Sequence, residues 1–232
     1  MKAIIFDCDG TLVDSEMIHY LAWTDALEKQ GHGISMEEYS HYVGTSIDKT
    51  SYVLSQKIGV NCAEQLKKDK YAFYRSRIEG GIPPIKDTLA FLYQLVEEQK
   101  KFNYKLAVAS GASREEILIY LRCLNIEHFF DVVLSGKDDL SHYNDPEGVN
   151  KPKPYIYLEA AKQLGVSPSD CVAIEDSHTG VVASAKAGCV TVAVPTSFSL
   201  NHDFSPSHLL ISSFNRYTVG QFLREAAACR VN

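Results

Sequence analysis

The stretch "IIFDCDGTLVDSE", residues 4–16, decides the fold. With Ala3 just ahead, four apolar residues run into Asp7 and Asp9, which only Cys8 separates, and a Gly-Thr pair follows. The apolar run reads as a buried strand. In an open parallel sheet, ligands bind beyond the carboxyl ends of the strands, where Asp7 and Asp9 would stand. Residues i and i+2 face the same side while the backbone stays extended. Two carboxylates so close repel, and one holds its proton more tightly unless a cation intervenes. Two chemical arrangements use such a pair: a hard-metal site, or a nucleophile beside an acid/base. The same residues also serve simply to end a strand and cap a turn.

Working outward, further short runs rich in Val, Ile and Leu recur: "YKLAVA" (104–109), "DVVL" (131–134), "CVAI" (171–174), "VTVAV" (190–194) and "LLIS" (209–212). Continuous rather than alternating apolar strands suit a parallel sheet covered on both faces. Helical patterns lie between them. Residues 113–124 open on Ser113 with Glu116 three places on, a capping-box signature. Residues 154–164 open at Pro154 and close before Gly165, and 178–187 close before Gly188. Residues 87–98 carry Leu89, Leu92 and Val96 on one stripe. This alternation predicts an α/β fold with a doubly wound parallel sheet, a Rossmann-like core.

Residues 16–79 break the alternation and read helical throughout, with Tyr20, Trp23 and Leu27 on one face and a further helix over 64–78. "GGIPP" (80–84) reads as a returning linker. The predicted organisation is therefore a core of 1–15 and 80–232 with an inserted α-helical cap of 16–79, placed to act as a lid.

Composition narrows the function class. The chain has 232 residues, 45% hydrophobic, with a formal net charge of −6. It has no basic stretch long enough for a nucleic-acid footprint and no apolar run near the length of a membrane span. The first apolar run is too short for a signal-peptide core, and the six cysteines form no zinc spacing, so a reduced, cytoplasmic setting is expected. An anionic substrate would have to be met by local cations or a metal ion.

Other strand ends supply them. "AIEDS" puts Glu175 and Asp176 at the same sheet edge as Asp7. "AVASGAS" puts Ser110 there, ahead of a helix N-terminus whose N–H groups suit an anion. Lys151 stands in "NKPKP", just before another helix. Acidic oxygen ligands select Mg²⁺ over zinc, and a hydroxyl with an ammonium suits phosphate oxygens. Taken singly, Ser110 also fits a helix cap and Lys151 a solvated surface lysine.

With "DCDGT", "VASGAS", "KPKP" and "AIEDS" in this order, the chain resembles the haloacid dehalogenase-like hydrolase superfamily, in the helical-cap branch of phosphatases and β-phosphoglucomutase-like enzymes. The resemblance covers residues 3 to about 195. It implies that Asp7 is the nucleophile forming an aspartyl-phosphate and that Asp9 is the general acid and then base. It also implies that Mg²⁺ is bound by Asp7, Asp9 (through its carbonyl), Asp176 and, as a ligand or an orienting group, Glu175. Ser110, Gly111 and Lys151 would hold the phosphoryl oxygens, and Thr11 would help set Asp9. In the cap, His19, Gly44, Thr45 and Lys49 are the residues placed to meet substrate. Cys8, pointing away from the aspartates, reads as a buried thiol.

Three departures bear on activity. In the segment 42–48 the mutase carries a lysine and an arginine for a second phosphate, where this chain has Val43 and Ile47. Tyr155 stands where an acidic residue is usual, and "DLSHYNDPEGVN" after Asp138 is longer than the family pattern and reads as a polar surface excursion. The expectation is a phosphatase acting on a small phosphorylated metabolite such as a sugar phosphate. A mutase and a non-catalytic phosphometabolite-binding protein are the alternatives. The presence of Asp7, Asp9, Lys151 and Asp176 together favours an enzyme.

Overall fold

The computed structural model describes residues 1–43, 45, 47–59 and 61–231. The chain divides into two compact units, one made of Met1–Val13 and the chain from Pro84 onward, the other of Asp14–Pro83. Strand β1 (Ala3–Phe6) comes first. The second unit follows, with helices α1 (Ser15–Glu28), α2 (Met36–Ser40), α3 (Ile47–Lys57) and α4 (Ala63–Glu79). The first unit then resumes with α5 (Lys86–Phe102), β2 (Lys105–Ser110), α6 (Arg114–Cys123) and β3 (Val132–Ser135). It continues through α7 (Tyr155–Leu164), β4 (Cys171–Glu175), α8 (His178–Lys186), β5 (Val190–Ala193), β6 (Leu209–Leu210) and α9 (Val219–Ala228).

The six strands form one parallel sheet in the order β3-β2-β1-β4-β5-β6. The chain therefore winds outward from β1 in both directions, and the order reverses between β1 and β4. A crevice opens at such a switch point, beyond the strands' carboxyl ends. Register fixes what reaches it. Phe6 lies beside Val108 on one side and Ile174 on the other. The residues just past these three, Asp7, Ala109–Ser110 and Glu175–Asp176, thus emerge at one level. All four residues of β1 are fully buried, as a central strand of β-branched and aromatic side chains requires.

Local signals set the helices. Ser113 and Glu116 make the reciprocal capping box at α6, and Gly165 ends α7 in the left-handed region. Some boundaries differ from expectation. Tyr104 stays outside β2, whose pairing with β1 begins at Lys105, and its hydroxyl donates to Leu95 O on α5 at 2.5 Å. Strand β6 has two residues rather than four. Pro154 caps α7 rather than opening it. Helix α5 runs from 86 to 102, longer at both ends than its apolar stripe.

In the second unit α1 packs chiefly on α4. Trp23 and Leu27 are buried there, while Tyr20 remains half-exposed and donates to Ile34 O. Arg77 grips Asp25 with two hydrogen bonds of 2.8 Å. The ends of this unit meet: Asp14 N donates to Pro83 O at 2.8 Å. Immediately outside them, Val13 and Pro84 form an antiparallel bridge. Among the described residues, no helix is long and apolar enough to cross a membrane.

Candidate active site

The crevice gathers side chains from β1, β2, β4 and the turn before α7. Asp7 extends β1 by one step, its N–H donating to Ile174 O at 2.9 Å. The chain then turns at Gly10, which has φ +73°. Asp9 comes back to the same edge, where Ser110 donates its hydroxyl to Asp9 Oδ2 at 2.9 Å. Lys151 is not a solvated surface lysine: only 11% of its side chain is exposed. Its Nζ lies 2.6 Å from Asp7 Oδ1, 2.7 Å from Glu175 Oε1 and 3.0 Å from Ala109 O. Glu175 is fully buried and accepts further bonds from the Tyr157 hydroxyl on Oε1 and the Ser177 hydroxyl on Oε2.

The electrostatics are unbalanced toward negative charge. Burial pushes the Asp7 carboxyl up to about 8. Glu175 and Asp9 add to that rise and Lys151 opposes it. For Lys151, burial works against the charged form, but Asp7 and Glu175 more than offset it, so the ammonium holds its proton above its ordinary range. Burial, with Asp9 and Asp7 nearby, drives the Cys8 thiol well above its ordinary value. This is the inert core thiol the sequence implies.

One ammonium among this many carboxylates leaves room for a second cation. Asp7, Glu175 and Asp176 each offer an oxygen, all within 4.8 Å of one another, and all three residues are buried. The donors are oxygens only, the set that hard divalent cations prefer. Gly10 shapes the cradle: a Cβ there would lie 2.1 Å from Asp176 Oδ2. The residues fit Mg²⁺, with Asp7 and Asp176 as its candidate carboxylate ligands. Glu175 is already occupied by three protein donors.

Two expectations need correction. The Thr11 hydroxyl is buried without a hydrogen-bond partner among the described residues, so it is Ser110 and not Thr11 that holds the Asp9 carboxylate. Three of the N–H groups at the start of α6 are already engaged. Ser113 N bonds Glu116, Arg114 N bonds Asp138 and Glu116 N bonds Ser113. Ser110 does not cap α6; Ser113 does. Gly111, beside Ser110, is exposed.

The candidates in the second unit have their own surroundings. His19 Nδ1 lies 2.8 Å from Lys70 Nζ, and its ring stacks on Tyr74 at 4.3 Å. Burial and the Lys70 charge hold His19 well below its ordinary pKa. Thr45 spends its hydroxyl on Tyr42 O and Thr50. Lys49 is exposed. Gly44 lies outside the described residues.

Sequence reasoning missed Tyr157, Ser177 and Gly180. A Cβ at Gly180 would fall 1.9 Å from the Glu175 carboxylate, so only glycine admits that side chain against the first turn of α8. Ser177 was visible as the last letter of "AIEDS". Tyr157 gave no signal distinct from an ordinary apolar helix position.

The family model described as haloacid dehalogenase-like hydrolase matches residues 4–194. A β-phosphoglucomutase of Bacillus subtilis is 32% identical over 210 residues, spanning 84% of this chain and 83% of that protein. The fructose-1-phosphate phosphatase YqaB of Escherichia coli is 29% identical over 193 residues, spanning 82% of this chain and 95% of its own. In fold, the chain is similar to a crystal structure of β-phosphoglucomutase from Clostridium difficile, with a TM-score of 0.74 over the whole of both chains at 24% identity. With strand order, edge carboxylates and family match in agreement, the chain is a member of the haloacid dehalogenase-like hydrolases.

Proposed function

We propose that this hydrolase is a Mg²⁺-supported phosphatase acting on a small phosphorylated metabolite of the sugar-phosphate class. The observation that carries the reading is the meeting of Lys151 with Asp7 at 2.6 Å, where acids from β1 and β4 converge within 4.8 Å. Lys151 holds one oxygen of Asp7, and the other attacks phosphorus. As the O–P bond to Asp7 forms, the P–O bond to the alcohol breaks, and Asp9 gives its proton to the departing oxygen. Asp9, now a carboxylate, takes a proton from water, whose oxygen attacks the aspartyl-phosphate and restores Asp7. Ser110, Gly111 and Lys151 hold the phosphoryl oxygens. Held by Asp7, the Asp9 carbonyl and Asp176, Mg²⁺ would offset the repulsion between the carboxylate and the phosphate ester. The second unit is the cap, residues 16–79 of the insert, and it carries the substrate-selecting candidates His19, Gly44, Thr45 and Lys49.

The test is a phosphate-release panel of sugar phosphates, nucleoside monophosphates and phosphoglycolate, with and without Mg²⁺. Asp7→Asn is expected to lower turnover by at least about 10³-fold while folding is retained. Absence of turnover on every ester, together with tight phosphate binding, would favour a binding protein.

The second reading, a mutase, is favoured by the identity to a β-phosphoglucomutase. Val43 and Ile47 argue against it, because neither can pair with a second phosphate. Hexose 1-phosphate should therefore yield inorganic phosphate and not the 6-phosphate.

A further inference from the structure

We propose that Tyr157 is a positioning residue for the phosphoryl-transfer step: it fixes Glu175 through its hydroxyl and Lys151 through its ring. The proposal rests on the phosphatase reading above. Lys151 spends its three N–H donors on Asp7, Glu175 and Ala109 O. Its long, flexible stem is therefore placed by those acceptors. Asp7 ceases to be a dependable acceptor once its carboxylate is esterified. Ala109 O and Glu175 must then keep the ammonium beside the phosphoryl group.

Ala109 O is main chain and fixed by β2. Glu175 is a side chain and must itself be held. Ser177 anchors Oε2 at 3.1 Å, and Tyr157 anchors Oε1 at 2.5 Å, the same oxygen that Lys151 uses. The Tyr157 ring also lies under the ammonium, with Nζ 5.1 Å from its centroid, a cation–π contact. Tyr157 is fully buried, so water cannot replace its hydroxyl. One side chain thus touches both members of the pair that the transition-state charge depends on. Its loss should appear in kcat, where Lys151 meets the developing charge, more than in KM.

The test is Tyr157→Phe, which removes only the hydroxyl, assayed on the best ester of the panel. The second readout is the rate at which an amine-acylating reagent labels each lysine in the Mg²⁺-free protein. The expected result is a kcat lower by about tenfold with KM within about twofold. Lys151 should label at least about threefold faster, while Lys105, whose Nζ donates to Leu164 O, labels as before. In a Glu175→Gln background the same substitution should add little, since both act through one group.

Wild-type kcat and wild-type Lys151 labelling would overturn the proposal. So would faster labelling of Lys105 and Lys151 together, which marks general loosening. If the wild-type enzyme turns over no ester, the phosphatase reading fails, and the labelling comparison still decides whether Tyr157 holds Lys151.

Discussion

At Gly10 the backbone turns with a positive φ, and a Cβ would fall within 2.1 Å of Asp176 Oδ2. Two costs coincide there. An L-residue in that backbone region loses about 1 kcal/mol, and the added methyl group displaces a candidate metal ligand. Gly10→Ala is therefore expected to raise the Mg²⁺ concentration for half-maximal activity by about 10–100-fold. A Mg²⁺ titration of phosphate release checks this, and an unchanged midpoint would separate Gly10 from the metal cradle. At this scale the polar groups at the strand ends were legible in the sequence because each sits one or two steps past an apolar run that announces its strand. Asp7, Ser110, Glu175 and Asp176 share that signature. Tyr157 does not, because a tyrosine facing a buried carboxylate leaves the same helical spacing as one facing a leucine. Thr11 misled for the opposite reason: its place in a motif carried a role that its buried, unbonded hydroxyl does not perform.

Helix α7 carries a second polar system on another of its faces. Glu159 is buried and accepts from His142 and Tyr143 of the preceding loop and from Lys162 and Gln163 of its own helix. Tyr155 adds a hydrogen bond to Asp145 at 3.0 Å and a ring contact with Tyr143 at 4.7 Å. The loop that read as a polar surface excursion is thus pinned to the helix, with Tyr143 and Val149 packed on the core. The tyrosine that departs from the family pattern is one of its pins. A polar loop with one valine and one tyrosine carries no periodicity to reveal this.

The latch sets a pH dependence. Burial acts to raise the Glu159 carboxyl, but bonds from Gln163, Lys162, His142 and Tyr143 outweigh it and bring it from 4.5 to about 2. A carboxyl lowered on folding stabilises fully above its unfolded value and loses that contribution as pH falls through the folded one. Glu159→Gln should thus cost on the order of 1–3 kcal/mol at pH 7, with the gap to wild type closing between about pH 4.5 and 2. Urea midpoints at neutral and acid pH measure it; a gap independent of pH would remove the charge from the account.

For the molecule as a whole, stability and cation binding should be linked. A cation that binds only the folded chain at about 100 times its dissociation constant adds about 2.7 kcal/mol. For a chain of this size that is a rise in melting temperature of about 5–10 °C. Mg²⁺ should produce it, EDTA should reverse it, and Asp176→Asn should abolish it; a shift retained in that variant would place the ion elsewhere. The doubly wound order was legible at this scale because strand and helix periods alternate cleanly from residue 86 onward. Cap contacts were not, since a helix pattern gives burial but not what a polar face meets. The junction between Val13 and Pro84 has one more consequence. The second unit leaves and rejoins the chain at one bridge closed by two hydrogen bonds, Asp14 N to Pro83 O and Ile85 N to Leu12 O, so that for the strand the insert is a closed loop of a given length. Closure entropy grows only logarithmically with that length. This position is thus a docking port in the gene: helices could be exchanged, lengthened or trimmed between these two residues without disturbing the pairing of β1 with its neighbours.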